Sequence, residues 1–119
     1  MAPLIDPERL LAYKDALRNC AVANYVKFQL TEQSRRWVRQ VVGIALKDLG
    51  RLMYEHVESG GEIDEVREAR PEWSDEYEYH YDLRVPVEGM QVYVETRLNY
   101  RPPFRPDQPW ILVVNVHAP

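Results

Sequence analysis

Cysteine is almost missing from this chain: the 119 residues hold one, Cys20. No internal disulfide can form, so the fold must rest on packing alone, as suits a reducing cytoplasm. Cys20 sits among Leu17, Ala21 and Val22 and reads as a small buried hydrophobe. Long apolar runs are missing too. None approaches the roughly 20 residues needed to cross a bilayer, and the first residues lack the basic and then apolar pattern of a secretory leader. Internal repeats and low-complexity tracts are also absent. The expectation is one soluble, cytoplasmic domain without membrane contact. An excess of basic charge is missing as well, the formal net charge being −4. Residues 1–54 carry nine Lys or Arg against five Asp or Glu, residues 55–78 two against ten, and the remainder four against four. The acidic middle would repel a polyanion, which excludes nonspecific nucleic-acid binding over the whole surface but leaves a local basic surface open.

What is present is ordered. Asp6, Pro7 and Glu8 form a helix start, with a capping side chain followed by proline at the first helical position, and predict a helix over about 6–21. A short β-like run follows at Tyr25–Leu30. Thr31 caps a predicted helix over about 32–58, in which Val38, Val41, Val42, Ala45, Leu46, Leu49, Leu52, Met53 and Val57 recur at helical spacing; Ser59-Gly60-Gly61 ends it. Residues 62–69 read as a third, acidic helical stretch. Strands are predicted over about 77–86, 90–98 and 110–117, the last two joined by a proline-rich loop, Tyr100–Pro109, long enough to reach over a site. Helices first and an antiparallel meander after them predict an α+β fold, a two-layer sandwich with the helices on one face of a small sheet.

The most chemical feature is the sheet's other face. Alternation puts Tyr79, Tyr81, Leu83 and Val85 on one side of the first strand and His80, Asp82 and Arg84 on the other. The second strand repeats this, with Val92, Val94, Thr96 and Leu98 apolar-side and Gln91, Tyr93, Glu95 and Arg97 polar-side. With Glu88-Gly89 as a two-residue turn, Arg84 pairs with Tyr93, Asp82 with Glu95 and His80 with Arg97. The third strand, with Leu112, Val114 and Val116 assigned to the core, adds Asn115 and His117 to the polar face.

This set has several readings. Polar residues alternating outward on a half-solvated sheet need no site at all. Metal-free RNA cleavage needs a base, an acid and cations for the transition-state phosphate; His80 or Glu95 supplies the base, His117 the acid, Arg84 and Arg97 the cations, and Tyr93 an orienting or stacking group. No cofactor is required. A metal-dependent hydrolase would instead use His80, Asp82, Glu95 and His117 as ligands. A noncatalytic interaction domain would use the same face, or the acidic segment 55–78, to hold a protein partner or a second copy. Trp37, Trp73 and Trp110 read as core or edge packing, and Arg36, Gln40, Lys47 and Arg51 as a solvated helix face.

The stretches YHYDLRVPVEGMQVYVETRL (79–98) and WILVVNVH (110–117) resemble the C-terminal sheet of the MqsR toxins, within the wider RelE-like group of mRNA endonucleases. The resemblance implies helices packed on a small antiparallel sheet, RNA as substrate, an antitoxin-like partner and metal-free cleavage on the exposed face. It places the family's second-strand tyrosine at Tyr93, a polar first-strand position at His80 and the residue closing the last strand at His117. Where the family commonly carries a lysine two residues beyond the tyrosine, this chain has Glu95, which implies altered chemistry or lost nuclease activity.

Overall fold

The computed structural model describes residues 2–21, 25–100 and 109–118. Two segments near the beginning flank a longer meander. Strand β1 (Ala2–Pro3) precedes helix α1 (Pro7–Arg18), and β2 (Val26–Phe28) precedes helices α2 (Glu32–Trp37) and α3 (Leu46–Glu58). Then come β3 (Asp64–Arg67), a single helical turn α4 (Pro71–Ser74), β4 (Tyr79–Val87), β5 (Met90–Asn99) and β6 (Trp110–His117). The strands form one six-stranded sheet in the order β1-β3-β4-β5-β6-β2. Every neighbouring pair is antiparallel except β2 with β6. The fold is α+β, as the order of elements predicts, and no described helix is long and apolar enough to cross a membrane.

Both helix starts form as their sequences dictate: Asp6 accepts from the backbone N–H of Arg9, and Thr31 from that of Ser34. Helix α1 buries Ala12, Tyr13, Ala16 and Leu17, and α3 buries Leu49, Met53 and Val57, all against one face of the sheet. That face presents Tyr81, Leu83, Val85, Val92, Val94, Ile111, Val113 and Val116. Each fully buried aliphatic side chain contributes about 1.5–3 kcal/mol relative to exposure. One polar path crosses this core. Buried Thr96 donates to the Tyr81 carbonyl at 2.6 Å, so the Tyr13 hydroxyl, 2.8 Å from Thr96 Oγ1, is the donor to it.

Three sequence expectations are corrected. The helix expected over 32–58 is two helices: a wide turn at Val38–Val42 follows α2, and Gly43, in the left-handed region at φ 81°, ends it. The apolar spacing runs on through the break, which hides it from periodicity. The helix expected over 62–69 is strand β3, with Asp64 opposite Asp82 and Val66 opposite His80; pairing with the edge of β4 overrides local propensity. In β6, a bulge between Asn115 and Val113 reverses the expected alternation. Ile111 and Val113 therefore face the helices, Leu112 lies beside Arg97 on the other face, and Val114 is only half-buried. Most of the proline-rich loop, residues 101–108, lies outside the described residues.

Candidate functional site

The β4–β5 hairpin forms in the expected register, with Arg84 opposite Tyr93 and Asp82 opposite Glu95. Its turn is built from Glu88 and Gly89, both at positive φ. Beyond it, Tyr93 lies opposite His117 and Glu95 opposite Asn115. The polar face is thus laid out in rows across the strands: Arg84, Tyr93 and His117 in one, Asp64, Asp82, Glu95 and Asn115 in the next.

The second row holds the densest chemistry. His80 Nδ1 lies 2.8 Å from Asp82 Oδ1. With Asp82 ionised, Nδ1–H donates to it, and Nε2 of the neutral ring then keeps a lone pair. Burial pushes the Asp82 carboxyl up, and the Glu95 charge adds to this against the opposing contact from His80. Burial alone would also raise Glu95, but hydrogen bonds from Arg70 and Arg97 outweigh it and hold that carboxyl low. Two carboxylates on facing positions are thereby driven apart, one toward holding a proton and one toward fixed charge.

The cations responsible depart from expectation. Arg97, expected on the open face as a phosphate binder, is fully buried. Its guanidinium lies 2.6 Å from Glu68 and 2.9 Å from Glu95, and the Trp73 ring covers it at 5.0 Å. It neutralises carboxylates and is shut away from a substrate. The cation that does reach solvent is Arg70, which sequence reasoning missed. It bridges Glu95 and Glu68, the latter at 3.2 Å, with its side chain 43% exposed. Glu68 falls in the expected 62–69 helix and Trp73 among the expected packing residues, while Arg70 carries no expectation; the β3–β4 pairing brings all three to the Glu95–Arg97 end of the face. Arg84 stays half-exposed, 3.1 Å from Asp64.

Of the remaining expected residues, Tyr93 and His117 stack, ring centroids 5.5 Å apart and planes 12° from parallel. His117 is exposed, and its Nδ1 lies 2.6 Å from the Ala118 carbonyl. It cannot share one reaction with His80. Arg84 is in register with His117 two strands away, and His80 is four residues along β4 from Arg84, which separates the two histidines by roughly 16 Å. The same distance removes His117 from any metal set. His80, Asp82 and Glu95 do offer ligand atoms within 4.8 Å of one another. Glu95, expected as a base, is engaged by two arginines instead.

Comparisons with protein-family models, with curated proteins and with solved structures each found no match to this chain.

Proposed function

We propose that this face cleaves RNA in the cytoplasm by metal-free acid–base chemistry centred on His80. The observation that carries the reading is the His80–Asp82 pair beside a half-exposed arginine. Asp82 holds the imidazole with Nε2 free, so Nε2 takes the proton of a ribose 2′-hydroxyl as its oxygen attacks the adjacent phosphorus. Arg70 swings from Glu95 to the charge that grows on the phosphoryl oxygens, while Arg97 goes on neutralising Glu95 from below. Tyr93, four residues along and one strand across from His80, lies too far away to join this step, and the departing 5′-oxygen takes its proton from water. The bond from phosphorus to that oxygen breaks and a cyclic phosphate remains. The resemblance to the MqsR and RelE-like toxins points to the same substrate, and an antitoxin-like partner belongs to this reading.

The test is incubation with mixed RNA in excess chelator. Cleavage is expected, abolished in His80→Ala and Asp82→Asn, and retained in His117→Ala. Intact RNA with every preparation would refute the proposal and leave the noncatalytic interaction domain as the better reading. Cleavage that chelator stops would favour the metal reading, in which a divalent ion displaces Arg70 and binds His80, Asp82 and Glu95, the three groups whose ligand atoms already converge.

A further inference from the structure

Beyond Phe28, which pairs with Val113, strand β6 has no further β2 neighbour, and the start of α2 runs alongside it instead. Between them lies an open groove of about 490 Å³, lined by Thr31, Gln33, Ser34, Trp37, Asn115 and His117 together with Val116 and Ala118. That volume is within the range of small-molecule sites. Among the described residues the lining holds no carboxylate side chain and no lysine or arginine. It offers instead two primary amides, two hydroxyls and two aromatic rings, of which His117 is already stacked on Tyr93.

We infer that this groove is a nucleobase subsite, which seats one base of the RNA beside the scissile bond and selects it; the inference rests on the reading of the face as an RNA-cleaving site. A primary amide presents a donor and an acceptor side by side, the arrangement that matches the edge of a base, and an aromatic ring supplies a stacking surface. The side-chain bond that Asn115 makes to the Ser34 hydroxyl is long, 3.5 Å, so a base edge displaces it at small cost. Position fits as well. Asn115 lies in the same row as Asp82, two strands away, or roughly 10 Å at ordinary strand spacing, so a base in the groove and a phosphate at His80 belong to neighbouring parts of one strand. The described lining, uncharged apart from any proton on His117, neither repels the backbone strongly nor adds much sequence-blind attraction. What it adds is choice of base.

The test uses the four nucleoside 5′-monophosphates in chelator, titrated calorimetrically against the wild type, Gln33→Ala, Asn115→Ala and His80→Ala. One base should bind at least about tenfold more tightly than the worst, as expected for one or two base-edge hydrogen bonds. Gln33→Ala or Asn115→Ala should cut that preference to about threefold or less, and the side-chain amide NMR signals of Gln33 and Asn115 should shift in the wild type with the preferred nucleotide. His80→Ala should retain the preference while losing cleavage. Equal affinity for all four bases, or a preference that survives both groove substitutions with unmoved amide signals, would overturn the inference. Selective binding by a protein that leaves RNA intact would uphold the groove as a base site and refute the cleavage reading alone.

Discussion

At the scale of single residues, the facing carboxylates of Asp82 and Glu95 should titrate in opposite directions from their ordinary values. Glu95 is held below its ordinary value near 4.5, so it favours the fold above that pH, and the benefit is lost as pH falls through the lowered value. Asp82 is held above its ordinary value near 3.8, so it favours the fold below that pH, and the benefit is lost as pH rises through the raised value. Carbon-detected NMR should therefore find the Asp82 carboxyl titrating late and the Glu95 carboxyl early as acid is neutralised. Denaturant melts should show Asp82→Asn at least as stable as wild type at pH 7, because the amide removes a group whose charged form the fold disfavours. A neutral-pH stability well below wild type would mean that the His80 contact outweighs burial. Arg97 depends on its carboxylate partners. Truncating Glu68 to Ala removes one of two carboxylates from a fully buried guanidinium and should cost about 3–5 kcal/mol by chemical denaturation. Replacing Glu68 and Arg97 together by apolar residues of similar size should recover much of that loss.

At the scale of elements, the β6 bulge decides which valine matters. Val113→Asp buries an unpaired charge among the helices and should cost several kcal/mol of a total near 5–15, whereas Val114→Asp, on a half-buried position, should leave a folded protein. Thermal melts of the two variants check this, and the reverse ranking would mean that β6 alternates without interruption. The contrast also shows what the residues disclose. Strict alternation on either side of Glu88-Gly89 specifies the β4–β5 register down to individual pairs, because a slip by one residue would expose Leu83 and Val94 and bury Asp82 and Glu95. Nothing in the run of apolar residues from Ile111 to Val114 tells which of them faces the helices, since all suit a core. The acidic residues of β3 conceal a strand whose partners lie elsewhere in the chain. So the His80–Asp82–Glu95 cluster is readable from alternation, while Arg70 and Trp73 are placed by tertiary pairing and are not. The turn carries one more consequence: Glu88, at φ 46°, occupies a conformation that asparagine or glycine adopts far more readily. Glu88→Asn should stabilise the protein by up to about 1 kcal/mol, measured by denaturant midpoint.

At the scale of the whole molecule, charge limits how the proposed RNA substrate would be held. Only Arg70 and Arg84 among the arginines described on the polar face are substantially exposed, at 43% and 40%. Two to four phosphate contacts predict a slope of log affinity against log salt of roughly −1.5 to −3 for single strands. Filter binding with a cleavage-dead variant would measure it, and a slope steeper than about −5 would require a basic surface away from this face. The strand order has a different consequence. Both edges of the sheet come from the first 28 residues and its interior from residues 64–117. Val26 meets Ile111 across a long stretch of chain, whereas β4 and β5 are joined by a two-residue turn. Loop-closure entropy therefore orders the folding events, the local hairpin closing early and β2 docking late. By the same argument β2, three residues long, is the segment released first when the native state breathes. Each release bares the backbone of Ile111, Leu112 and Val113, an apolar strand edge able to recruit another chain, so the aggregation hazard lies on the flank of the sheet, away from its polar face.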